Sequence, residues 1–196
     1  MANGAFTAED IRETLLQIDE EAAIELGRSA TFEMVIVGGS VLLLSQLSPR
    51  AFTRDIDALA YDDVLEGVVA RHLEVNSQVK VYADRLPKGF AGRLVPLPVE
   101  TQVVAFLRPS NEDLAVMKLY SWRKQDQQDL LCAQMLRGLD RGLLEELIYG
   151  ENEAKASSNT ILMYERMVDT YERRFLPRAA KAAKASGCAQ WARRRR

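Results

Sequence analysis

Val35-Ile36-Val37-Gly38-Gly39-Ser40, with Thr53-Arg54-Asp55-Ile56-Asp57 about a dozen residues further on, decides how this 196-residue chain folds. The apolar run Phe32 to Val37 stops at two glycines and reads as a buried strand. Glycines there let the backbone turn tightly and approach a ligand without a Cβ clash. Ser40 would open a short helix through Leu44, adding a hydroxyl beside free N–H groups where a phosphate is favoured. The same three residues also describe an ordinary strand-to-helix turn with a serine cap. Asp55 to Ala60 reads as a second strand. Ile56, Ala58 and Ala60 face one way, and Asp55, Asp57 and Leu59 the other. Residues i and i+2 share a face with Cα atoms roughly 6.6 Å apart, so the two carboxylates can converge on Mg²⁺. A two-ion arrangement is also within their reach. The bland alternative is a pair of aspartates at an exposed strand end. The apolar opposite face anchors the strand, however, and two like charges on its open face repel unless a cation lies between them.

Around this stretch the order of elements sets the architecture. Thr7, with Asp10 three residues on, caps a first helix carrying Ile11, Leu15, Ile18 and Ala22 at helical spacing, and Gly27 ends it. Asp62 to Leu73 reads as a helix. Val79–Ala83, Arg93–Leu97 and Val103–Leu107 read as strands. Asn111 opens a helical region with a break near Lys124 and Gln125, and two more helices span Arg141–Tyr149 and Asn159–Phe175. No internal repeat is visible. The expectation is an α+β fold, a small mixed β-sheet covered by helices, with a helical C-terminal half. Residues 1–149 form the core, 150–177 a C-terminal helical extension behind a linker at Gly150 to Ser158, and 178–196 a basic, flexible tail.

A second block runs Asp113-Leu114-Ala115-Val116-Met117-Lys118-Leu119-Tyr120-Ser121-Trp122-Arg123-Lys124-Gln125-Asp126-Gln127-Gln128-Asp129-Leu130. On a continuous helix, Lys118, Trp122 and Asp129 fall within about 40° of one another. Lys118 also fits a solvated surface lysine. Asp126 also fits the N-cap of a new helix, with Asp129 as its acidic partner, and Trp122 reads as packed.

The strand, Gly-Gly-Ser, short helix and Asp-x-Asp strand resemble the signature of the DNA polymerase β-type nucleotidyltransferase superfamily. The second block resembles its bacterial one-domain subgroup, which includes the AbiEii-like toxins of abortive-infection and toxin–antitoxin systems. The resemblance covers Phe32 to Leu136. It implies a nucleotidyltransferase-like fold in which Gly38, Gly39 and Ser40 hold the triphosphate of a bound nucleotide. It implies that Asp55 and Asp57 ligate Mg²⁺, that Lys118 contacts the phosphates, and that Arg123, Asp126 and Asp129 complete or buttress the site. The implied activity is Mg²⁺-dependent transfer of a nucleotidyl group from a nucleoside triphosphate to a hydroxyl of RNA or protein, in a toxin paired with an antitoxin protein. One departure stands out. Many members carry a third carboxylate on a later strand, whereas here Asp84 adjoins Arg85 and Glu100 follows Pro98, neither in a decisive context. The second-block aspartates substitute for it on the subgroup pattern. A non-catalytic nucleotide-, RNA- or protein-binding module on the same fold is the competing expectation.

Composition narrows the class. Apolar residues make up 47% and charged residues 28%, which is enough for one real core. One histidine, His72, excludes two-histidine zinc motifs, and two cysteines, Cys132 and Cys188, cannot form a disulfide framework. A reducing, cytoplasmic setting is expected. Met1 to Asp10 has no secretory pattern, and no apolar run is long enough to span a membrane. Seven bases and no acid lie between Arg178 and Arg196. Taking those seven from the 26 bases leaves 19 against 28 acids, so the body is not a nucleic-acid-binding surface by charge. His72 reads as a surface or capping group and Cys132 as core. Arg85, Lys88, Arg93 and Arg108 read as solvated loop charges.

Overall fold

The computed structural model describes residues 5–121, 123–151 and 158–175. The basic tail 178–196, Trp122, Cys188 and residues 152–157 of the linker lie outside the described residues.

Helix α1 (Ala8–Leu26) starts where its cap predicts. The Thr7 amide donates to Asp10 Oδ2 at 2.7 Å and the Asp10 amide donates to Thr7 Oγ1 at 3.3 Å, so two donors that the helix cannot satisfy find partners. Ile11, Leu15, Ile18 and Ala22 are fully buried beneath it. Strand β1 (Phe32–Val37) runs straight into α2 (Gly38–Leu44). Strand β2 (Ile56–Tyr61) pairs antiparallel with β1. Three further strands follow: β3 (Val75–Asn76), β4 (Val95–Pro96) and β5 (Val104–Arg108). The sheet order is β3-β2-β1-β5-β4, with β1 parallel to β5, β2 parallel to β3, and β4 antiparallel to β5. The chain is thus α+β with a small mixed sheet, as its element order predicts.

The period of two splits the sheet into unlike faces. Met34, Ile36, Ile56 and Ala58 join α1 and α2 in the main core. Val35, Val37 and Leu59 point the other way and pack with Val79 and Leu86. Asp57 lies opposite Val37 in the register and shares this second face. Beyond the sheet, α4 (Asn111–Leu119), α5 (Lys124–Leu131), α6 (Ala133–Arg137), α7 (Arg141–Glu146) and α8 (Ser158–Phe175) bury a second apolar cluster that includes Leu119, Leu130, Leu136 and Met167. Among the described residues no helix is long and apolar enough to cross a membrane.

Several elements differ from expectation. The Asp62–Leu73 helix reduces to a 3₁₀ turn at Asp63–Leu65 and α3 (Glu66–Val69). The chain is drawn back into the sheet there, with the Val75 amide on the His72 carbonyl and the Ile56 amide on the Glu74 carbonyl. Val79–Ala83 belongs to a 3₁₀ stretch, Ser77–Arg85, rather than to a strand. The Asn76 side chain accepts from the Gln78 amide at 3.1 Å and caps that stretch. His72 is buried, its ring nitrogens 3.4 Å from Glu21 and 3.5 Å from Glu74. Arg93 is not a solvated loop charge, since it pairs at 2.7 Å with the fully buried Asp113. Cys132 is half-buried and caps α6, its Sγ accepting from the Met135 amide.

One buried acid holds sheet to helix. Asp19, 2% exposed, accepts from the amides of Gln102, Val103 and Val104 at 2.7–2.8 Å. Those donors sit where β5 begins, and all three converge on the one carboxylate. Asp19→Ala is expected to cost about 2–3 kcal/mol, because unpaired buried donors cost about 1–3 kcal/mol each and water repairs some of the loss. Urea unfolding checks this as a lower midpoint at unchanged slope.

Candidate active site

The β1–α2 junction is shaped around an acidic side chain. Gly38 takes φ +73°, a conformation that side-chain-bearing residues rarely adopt, and a Cβ there would lie 2.1 Å from Asp57 Oδ2. At Gly39 a Cβ would lie 2.4 Å from Arg50 Nη1 and 2.5 Å from Thr53 Oγ1. The two glycines therefore admit Asp57 on one side and the Arg50–Thr53 segment on the other. The helix starts at Gly38, two residues earlier than the sequence predicts. Ser40 falls inside it, fully buried, and its Oγ donates to the Val37 carbonyl at 3.0 Å.

Asp57 is fixed from β3. Asn76, its neighbour in the parallel register, donates from Nδ2 to Asp57 Oδ1 at 3.0 Å. The Asn76 carbonyl is already taken by the Gln78 amide, which turns the NH₂ group toward Asp57. Burial and the adjacent Asp55 charge push the Asp57 carboxyl up to about 6. The Asn76 bond and the charges of Arg123 and Lys118 act in the opposite direction without cancelling the rise.

The second block supplies the facing wall. The turn after α4 places α5 so that Lys118 Nζ donates to Asp126 Oδ1 at 2.5 Å and to Asp129 Oδ2 at 2.9 Å. Asp126 Oδ2 also accepts from Ser121 Oγ and Arg123 Nε, each at 2.6 Å. Asp129 accepts from Ser48 Oγ at 3.0 Å and from Arg50 Nη2. Burial raises the Asp126 carboxyl, but Lys118, Ser121 and Arg123 outweigh it and hold the group below the usual carboxylate range. Asp126 is not the N-cap of α5. Arg123 occupies that position, and Asp126 sits in the first turn.

A cleft of ≈460 Å³ separates the two walls. Gly38, Asp55, Asp57, Lys118, Arg123 and Asp126 all line it, so most of the expected residues meet in one place. Gly39, Ser40 and Asp129 are not among the residues lining it. Asp129 is 1% exposed and acts on the cleft through Lys118. Arg85 lines the cleft and is more than a loop charge. Asn76 and Arg50 were not expected. Asn76 leaves only its capping position as a signal, and Arg50 leaves none in a one-dimensional reading. Glu100 is exposed and is not among the residues lining the cleft.

Among the described residues no three His, Cys, Asp or Glu side chains group as a metal site. The cleft instead offers two carboxylates, one of them pushed up by burial and by its neighbour, with space beside Asp57 Oδ2 that a Cβ would fill. Two hard oxygen donors whose charge Arg123 and Lys118 offset only in part fit Mg²⁺, which is usually held by one or two carboxylates plus substrate phosphates.

A family described as "Nucleotidyltransferase of unknown function (DUF6036)" matches residues 13–176. No curated protein and no solved structure gives a significant match. The matched span contains both walls of the cleft and every residue placed in it above.

Proposed function

The chain belongs to the nucleotidyltransferases of unknown function (DUF6036), and from that premise we propose a specific chemistry for the cleft. A nucleoside triphosphate binds with its phosphates between the Gly38 turn and Lys118, and a hydroxyl takes up its nucleotidyl group. Asp55 and Asp57 are the residues that would hold Mg²⁺. When bound, the ion supplies charge neutralisation at the attacking and leaving oxygens. The protein's own contribution is position and charge. Lys118 and Arg123 face the carboxylate pair with positive charge. Asp126 remains ionised beside Ser121 and is available to accept a hydrogen bond from an attacking hydroxyl. The observation that carries the reading is the fit of the Gly38 turn to Asp57: the residue that must lack a side chain lies against the carboxylate proposed to hold the ion.

The second block's resemblance to the AbiEii-like subgroup supports a toxin role in a cytoplasmic toxin–antitoxin or abortive-infection system. RNA or a protein is then the acceptor, and an antitoxin the protein partner. A second reading, binding without turnover, draws on the missing third acid of a metal group among the described residues.

Labelled triphosphates incubated with the protein, Mg²⁺ and total cell extract separate the two. Transfer predicts pyrophosphate release and label on an RNA or protein. Saturable triphosphate binding without pyrophosphate release selects the binding module.

A further inference from the structure

The lining of the cleft carries hydroxyl groups of its own. Among the described residues that line it, Tyr120 and Ser121 alone carry hydroxyls. Ser121 Oγ donates to Asp126 Oδ2 at 2.6 Å and accepts from the Arg123 amide at 3.3 Å. A serine oxygen is thereby aimed with its proton on a carboxylate, the arrangement that serves a hydroxyl nucleophile. Ser121 is the better placed of the two, because its oxygen already rests on a carboxylate. Lys118 and Arg123, three residues before and two after Ser121, both act electrostatically on Asp57 across the cleft. The serine therefore lines the same cleft as the two cationic groups that act on Asp57.

We infer that Ser121 is a self-modification site, taking a nucleoside monophosphate from a triphosphate bound in the same cleft. The inference rests on the transferase reading above and deepens it by naming an acceptor. Ser121 Oγ forms a bond to the α-phosphorus. The bond from the α-phosphorus to the oxygen bridging to the β-phosphate breaks, and pyrophosphate leaves with that electron pair. The hydroxyl proton passes to Asp126 and then to solvent. The product is a serine phosphodiester, and no oxidant or reductant is involved. Lys118 and Arg123 keep Asp126 ionised, so the acceptor of the hydrogen bond is present at neutral pH.

Incubating the full chain with Mg²⁺ and each of the four ribonucleoside triphosphates, with no other acceptor, tests this by intact mass and peptide fragmentation. The expected result is one nucleoside monophosphate per chain, located on Ser121, with one equivalent of pyrophosphate. Asp57→Asn and Ser121→Ala should both stay unmodified. Because fragmentation of the parent locates the group, the test does not depend on the folding of either variant. Label on a different residue, or an unmodified chain, overturns the inference. If the unmodified chain still labels RNA or protein in extract, the transferase reading survives. If no pyrophosphate appears under either condition, both fail together.

Discussion

Asp57→Asn is expected to lower nucleotidyl transfer at least about a hundredfold, with no loss of stability. Asparagine keeps the shape and can still bond Asn76, but it removes the charge that would hold Mg²⁺. That charge is itself costly to the fold. Burial and Asp55 push the native carboxyl up to about 6, whereas an unfolded aspartate titrates near 3.9. Between about pH 4 and pH 6 the native state holds a proton that the unfolded chain releases, so stability falls as pH rises through that window. Above it the cost is fully present, on the order of 1–2 kcal/mol after solvent relaxation in an open cleft. The variant should therefore melt higher than the parent at pH 7.5, and the gap should narrow toward pH 4. Mg²⁺ should raise the parent's melting temperature at pH 7.5, do so much less at pH 5, and leave the variant unmoved. A variant that melts lower than the parent and transfers nucleotide equally well would remove Asp57 from the chemistry.

Lys118→Ala should do the opposite to stability, costing about 3–5 kcal/mol as well as activity. Its ammonium is almost enclosed, with Asp126 and Asp129 as its two partners. Truncation leaves both buried carboxylates short of a cation, and Arg50 and Arg123 each reach only one of them. Neutralising an acid as well, in Lys118→Met with Asp129→Asn, should recover part of the loss, because an unpaired buried charge costs more than a missing pair. Urea unfolding of the two single variants and the double variant measures the coupling. The pairing should also fail in acid, since Asp126 is held below its usual range and its stabilisation is lost as pH falls through that low value. The contrast between the two sites is informative. Loss of activity at Lys118 should be inseparable from damage to the fold, whereas loss at Asp57 should not.

Local periodicity made one wall of this cleft legible. Alternation along Asp55-Ile56-Asp57-Ala58 placed the acids opposite the core, and the diglycine after an apolar run marked the turn that meets them. The other wall follows from the second block, where a break near Lys124 and Gln125 was expected. Helix α4 ends at Leu119 and α5 starts at Lys124, so Lys118 and Asp129, which only a continuous helix would have aligned, meet across the bend. Long-range partners left no trace in sequence. Arg50 reaches Asp129 across 79 positions and Ser48 reaches it across 81. Arg93 reads as a loop charge until Asp113 is seen buried beneath it. Val79 to Ala83 shows that a short run of apolar residues does not separate strand from 3₁₀ turn, where a capping asparagine decides instead.

We propose that the Gly38 turn and the Asp55–Asp57 pair form one cleft for a Mg²⁺-bound triphosphate. Titration calorimetry of the parent and Asp57→Asn with each nucleoside triphosphate, with and without Mg²⁺, tests it most directly. Binding by the parent should strengthen with Mg²⁺, and that Mg²⁺ dependence should be lost in the variant. Equal binding by both proteins regardless of Mg²⁺, or no binding by the parent to any triphosphate, would contradict the proposal.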